Sequence, residues 1–103
     1  MNSRNPFEVF KSEAPEVYEG FDSLIKSLVN TRGLDQKTKQ LIYIGMKAAL
    51  GDDTAVRFHV PMAKKAGATR DEVKETILLT LTVCGLKGIG TCLVQALDSY
   101  DNS

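Results

Sequence analysis

Residues 52–72 read DDTAVRFHVPMAKKAGATRDE, and the fold follows from how this stretch is punctuated. Asp52 and Asp53 accept hydrogen bonds from the free N–H groups that open a helix, and their charge complements the positive end of its dipole. Lys64 and Lys65 suit the opposite end, and Gly67 supplies a residue at which such a helix stops. Thr69 with Glu72 three residues on forms a capping box, so a second helix starts at once. The stretch is therefore helix, tight turn and helix.

The same punctuation continues outward. Asn5-Pro6 reads as an N-cap followed by proline at the first helical position, and Pro15 interrupts that short helix and starts another. The second helix carries Val17, Phe21, Leu24, Ile25 and Leu28 at the helical spacings of three and four, and Asn30 to Gly33 end it. Asp35 caps a third helix, which closes at Gly51, where a left-handed residue is needed. Downstream, the fifth helix runs on through an apolar stretch, Gly85, Gly88 and Gly90 break the chain, and a last helix covers about Thr91 to Tyr100. Nothing alternates with the period of a strand. The expectation is an all-α chain, a single domain over 1–103 built as a bundle of about six helices.

Composition narrows the function classes. Of 103 residues, 13 are basic and 13 acidic, and the zero net charge argues against nucleic acid as a partner. MNSRNPFEVF has no apolar run behind a basic end, which reads as no signal peptide, and no window offers the roughly 20 apolar residues of a membrane span. Two cysteines are too few for a disulfide scaffold and are read as reduced thiols of a cytoplasmic protein. The third helix is apolar at Leu41, Ile42, Ile44, Met46, Ala48, Ala49 and Leu50. The fifth is apolar at Ile77, Leu78, Leu79, Leu81, Val83, Cys84 and Leu86. Helices hydrophobic nearly all round must be covered on more than one face, and so small a chain predicts a partner subunit of its own kind.

His59 is the sole histidine. Helical spacing puts it on one face with Asp52, Ala55, Met62, Ala63 and Ala66, with Arg57 on a neighbouring face. Two readings stand for it: a histidine hydrogen-bonded within the core, or a general acid/base with Asp52 to tune it. Pro61 has no N–H and frees the Arg57 carbonyl if the helix runs through it, giving the His59 ring a nearby acceptor. Cys84 and Cys92 flank the glycine-rich segment and read either as packing thiols or as a redox pair. The glycines are at the wrong spacing for a phosphate loop, and one histidine beside Asp52 and Asp53 makes no metal site. No cofactor is expected.

The blocks Leu34-Asp35-Gln36-Lys37-Thr38-Lys39-Gln40-Leu41-Ile42, Ala48-Ala49-Leu50-Gly51, His59-Val60, Ala63 and Lys65 through Val73 resemble the carboxymuconolactone decarboxylase family, which includes the alkylhydroperoxidase D group. The resemblance covers roughly residues 20 to 97 and implies a helical fold assembled as a homotrimer or homohexamer. The peroxidase branch carries Glu-x11-Cys-x-x-Cys-x3-His. At that spacing this chain has Gln40, Asp52, Ala55 and His59, so the histidine is kept while the glutamate and both cysteines are absent. The resemblance therefore implies a divergent decarboxylase-like protein binding or decarboxylating a small anionic organic acid in a pocket around His59 near a subunit interface. His59 would be the acid/base and Arg57 the anion clamp, with Gln40 and Asp52 lining the pocket. Arg57 reads equally as a surface salt-bridge residue. The alternatives are a thiol-dependent peroxidase using Cys84 and Cys92, and a non-catalytic oligomeric assembly protein.

Overall fold

A computed structural model describes residues 5–103; the first four residues of the stretch read above for a leader lie outside it. All regular structure among the described residues is helical. The helices are α1 (Pro6–Glu13), α2 (Pro15–Val29), α3 (Gln36–Ala49), α4 (Asp53–Lys65), α5 (Arg70–Leu79), the single turn α6 (Leu81–Cys84) and α7 (Val94–Asp101), with a π-helical turn at Ile89–Leu93 leading into α7. No helix among the described residues is long and apolar enough to cross a membrane. The chain divides into two compact units, residues 1–33 and 34–103.

In the first unit Asn5 Oδ1 accepts the Phe7 N–H at 2.9 Å and Pro6 opens α1. Pro15 then opens α2. The two helices meet through aromatic rings, with Phe10 edge-on to Tyr18 at 5.3 Å and tilted against Phe21 at 5.8 Å. Neither helix contributes a buried residue.

The second unit holds the core. Ile44 and Ala48 of α3, Val56, Val60 and Ala63 of α4, Ala68, Val73 and Ile77 at α5, and Cys92 and Ala96 form one buried cluster. The caps fall where the sequence puts them. Asp35 accepts from the Thr38 N–H, Asp52 from the Ala55 N–H, and Thr69 and Glu72 make the reciprocal capping box. Gly51 has φ 76°, which a side chain with a Cβ rarely adopts. Lys64 Nζ donates to the carbonyls of Tyr100 and Ser103 and so closes the end of α7, where a cation meets the negative pole of the dipole.

Three local expectations change. The fifth helix ends at Leu79 instead of running on to Leu86, because Thr80 folds back with its hydroxyl donating to the Ile77 carbonyl at 2.7 Å. Of the three glycines expected to break the chain, only Gly85, at φ 62°, lies at a turn. Residues 87–101 are helical throughout, starting before Thr91. Gly88 is a packing residue: a Cβ there would collide with the Thr80 hydroxyl and lie 3.2 Å from the Ala48 carbonyl oxygen. Finally, α4 runs straight through Pro61, and the Arg57 carbonyl this frees accepts the Ser99 hydroxyl at 2.7 Å, not the His59 ring.

Candidate functional site

α3 and α4 form a hairpin in which Gln40 lies opposite His59 and Lys47 opposite Asp52. Gln40, Tyr43 and Lys47 recur at spacings of three and four, so one face of α3 carries all three. That face meets the flank of α4 bearing His59. The buried stripe of α4 is Val56, Val60 and Ala63, which puts His59 at the edge of the apolar face, half-buried. Met62 and Ala66, expected to share its face inside the protein, are exposed.

His59 Nδ1 lies 2.9 Å from Gln40 Oε1. An amide oxygen only accepts, so Nδ1 carries the proton and Nε2 keeps its lone pair. Tyr43 packs on the imidazole with ring centroids 4.3 Å apart, and Phe58 approaches at 5.6 Å. The Lys47 ammonium stands over the Tyr43 ring, 5.6 Å from its centroid, and 3.6 Å from Asp52 Oδ2. Burial first, and the positive charge of Lys47 second, push the His59 pKa below its ordinary 6.5. Both effects disfavour the charged ring, so a neutral imidazole with a basic Nε2 is the resting form at neutral pH.

Of the other three residues anticipated as companions of His59, one is in contact with it. Gln40 touches it directly. Asp52 caps α4 with one oxygen and faces Lys47 with the other, so the charge acting on the imidazole comes from Lys47. Arg57 does not join. Two residues along a helix turn the side chain by roughly 200°, and the buried stripe passes between. Arg57 is 58% exposed and its Nε lies 3.3 Å from Asp53 Oδ2. Together with Asp53, Thr54 and Phe58 it lines an open depression of about 530 Å3 on the outer side of α4.

The thiols lie elsewhere. Cys92 is fully buried in the core, and Cys84 is half-buried with Sγ 3.4 Å from the Thr80 carbonyl; both are free. Among the described residues no group of three or more His, Cys, Asp or Glu is placed to hold a metal ion. The sequence reading overlooked Tyr43 and Lys47, although their spacing from Gln40 was legible and would have put them on its face.

The family model described as carboxymuconolactone decarboxylase family matches residues 15–93. Two uncharacterized proteins of Methanocaldococcus jannaschii are similar: one is 30% identical over 79 residues, spanning 77% of this chain and 74% of its own length, and the other 29% identical over 80 residues, spanning 77% of each. The crystal structure of a carboxymuconolactone decarboxylase family protein from Legionella pneumophila superposes with a TM-score of 0.80 at 30% identity, over 90% of this chain and 82% of its own. A Burkholderia xenovorans structure at 22% identity shares the fold, with a TM-score of 0.88 over 98% of this chain and 79% of its own.

Proposed function

As the chain belongs to the carboxymuconolactone decarboxylase family, we propose that it binds a small organic acid between α3 and α4 and exchanges a proton with it at His59 Nε2. The observation that carries this reading is the 2.9 Å hydrogen bond from His59 Nδ1 to Gln40 Oε1. It fixes the tautomer and the ring orientation, and it leaves the second nitrogen with a lone pair. In a decarboxylation the bond to the carboxylate carbon breaks, carbon dioxide departs, and the electron pair left behind takes up a proton. An imidazolium is suited to supply that proton. An anion arriving beside a neutral imidazole favours its protonated form, so ligand binding itself would load His59 for the step. Gln40 acts as the orienting partner, and Asp52, facing Lys47, would line the pocket. Arg57, turned to Asp53, has no part in it.

His59→Asn tests this directly. Binding or turnover of small carboxylic acids should be lost while the fold persists. If only stability or association changed, the domain would be a non-catalytic assembly protein instead.

The same reading includes self-association as a homotrimer or homohexamer. What supports it is the apolar surface left open by one chain, with Phe58, Leu79, Val83 and Leu86 all more than 60% exposed. Large apolar side chains exposed to that extent are what a subunit interface would cover. Native mass spectrometry of reduced protein should give a trimer or hexamer, and a monomer at micromolar concentration would end this part of the proposal.

A further inference from the structure

The Lys47 ammonium is shared between two partners and fully held by neither. It lies 3.6 Å from Asp52 Oδ2, beyond the roughly 2.7–2.9 Å of a charge-assisted hydrogen bond. It also lies 5.6 Å from the Tyr43 ring centroid, near the outer limit of about 6 Å for a cation on a ring. The same ring packs on the His59 imidazole, with centroids 4.3 Å apart. We propose that Tyr43 couples these two groups into a switch: Lys47 occupies the ring while His59 is neutral, and moves onto Asp52 when His59 takes up a proton. The switch is a property of the ligand-free chain.

Competition for the ring drives it. An aromatic ring offers its negative face to a cation, and an imidazolium draws on that face as an ammonium does. Protonation of His59 therefore sets two positive charges against one aromatic partner, and the two repel. The imidazole is tied to Gln40 by a 2.9 Å hydrogen bond, whereas Lys47 rides on a flexible four-carbon stem and its side chain is 31% exposed. Lys47 is the group that yields, and a shift of about 1 Å closes its pair with Asp52. Asp52 is already fixed by its other oxygen, which caps α4 by accepting the Ala55 N–H at 3.1 Å. A proton on His59 thus tightens the turn that joins α3 to α4.

The other titratable groups on α4 and on the elements packed against it, α3, α7 and the π-helical turn, face elsewhere. On α3, Lys37 is held by Glu72 at 3.1 Å, and Lys39 is turned from Gln40 by roughly 100° of helix. On α7, the Tyr100 hydroxyl donates to the Ala68 carbonyl, Asp101 pairs with Arg70, and Asp98 is exposed. Cys92 of the π-helical turn is buried in the core. On α4 itself, Asp53 and Arg57 pair on the outer side, Lys64 closes α7 and Lys65 is exposed. The charge that acts on the imidazole is that of Lys47, and Asp52 acts on it through Lys47.

Two-dimensional NMR of the full chain across pH is the test. Nuclear Overhauser contacts between the Lys47 ε-methylene and the Tyr43 ring protons should be present above the His59 midpoint and fade below it. Lys47→Met should raise that midpoint by roughly half a pH unit, the size of one partly screened charge. Asp52→Asn keeps the cap, since asparagine caps a helix as well as aspartate does, and should lower the midpoint because Lys47 then has no other partner to move to. In a Lys47→Met background the same Asp52→Asn change should have no effect. Tyr43→Phe retains the ring and should preserve all of these responses. The switch is overturned by Overhauser contacts that persist unchanged through the His59 transition, by an unmoved midpoint in Lys47→Met, or by responses that vanish in Tyr43→Phe. An Asp52→Asn effect of equal size with and without Lys47 overturns it as well. None of these measurements reads the binding of an acid, so the switch and the reading of His59 given above fail separately.

Discussion

The two units of this chain use amphipathic helices to different ends. α2 separates apolar from polar residues more sharply than α3, α4 or α5, yet it buries nothing, while the less sharply divided α3, α4 and α5 supply most of a continuous core. Amphipathicity measures how well a helix is prepared for a partner. It carries no information on whether the partner belongs to the same unit. In residues 34–103 the partners are the neighbouring helices, joined by turns so short that α3, α4 and α5 have to pack on one another. In residues 5–33 the one helix that α2 meets within its unit is the eight-residue α1, too short to cover the stripe from Val17 to Leu28.

The largest test of this contrast lies in the core. Ile44 is fully buried between α3 and its neighbours, and Ile44→Ala should cost about 3 kcal/mol, from lost transfer energy plus a residual cavity. In a Tyr18→Phe background, chemical denaturation followed by the near-UV tyrosine signal of Tyr43 and Tyr100 reads residues 34–103. A cost below about 1 kcal/mol would mean that this cluster is not what holds the unit together.

Next in size is Gly88→Ala. The added Cβ meets the hydroxyl of the buried Thr80 and the backbone carbonyl of Ala48, so about 2 kcal/mol of overpacking strain is expected. Gly90, two residues on, has open space around its Cβ position, and Gly90→Ala should be neutral or slightly stabilising through helix propensity. Equal effects at the two positions would remove the close approach as the reason for the glycine.

Those two glycines also mark the limit of what the sequence discloses. Caps are local chemistry, so Asn5, Asp35, Asp52 and the Thr69–Glu72 box could each be read from a few adjacent residues and stand where they were expected. Gly88 and Gly90 look identical in sequence to chain-breaking glycines. What makes one a packing site is Thr80, a residue on another element. The same division runs through the candidate site. The Gln40–His59 pairing was suggested by spacing within a family pattern, and their contact depends on how α3 lies against α4. Arg57 was paired with His59 through the family resemblance, although a separation of two residues on a helix puts side chains on nearly opposite sides. Lys47 and Tyr43 were visible by the same arithmetic applied to Gln40.

A smaller effect comes with acid. His59 has its pKa lowered in the folded protein, so below 6.5 the unfolded chain binds a proton that the folded chain resists. Stability contributed by the neutral ring is complete above that pH and declines as pH falls toward the folded-state value. Asp35, Glu72 and Asp101 are lowered as well, from ordinary values of 3.8, 4.5 and 3.8, so their contributions fade only in the carboxylate range. Thermal melts across pH should therefore weaken in two steps, and His59→Gln should abolish the upper one while leaving the lower. All four groups lie in residues 34–103. Hydrogen exchange in α1 and α2 should not follow the upper step, and an equal response there would make the two units one cooperative body.

The smallest expected change on the stability of residues 34–103 comes from Leu24→Asp. Leu24 is 55% exposed in the middle of the α2 stripe and no residue of 5–33 enters the buried cluster. A charge placed there should alter the denaturation of the second unit by less than about 0.5 kcal/mol, the range of surface substitutions. Its effect should be on association instead, because a carboxylate in an apolar interface must be desolvated without a partner. Sedimentation should then give a smaller species of undiminished helicity. If the mass is unchanged and the stability also holds, the α2 stripe faces solvent in the assembled protein and the covering surface lies on α4 to α6. If the core melts with it, the contrast between the units is one of surface only, and α2 contributes to a single folding reaction.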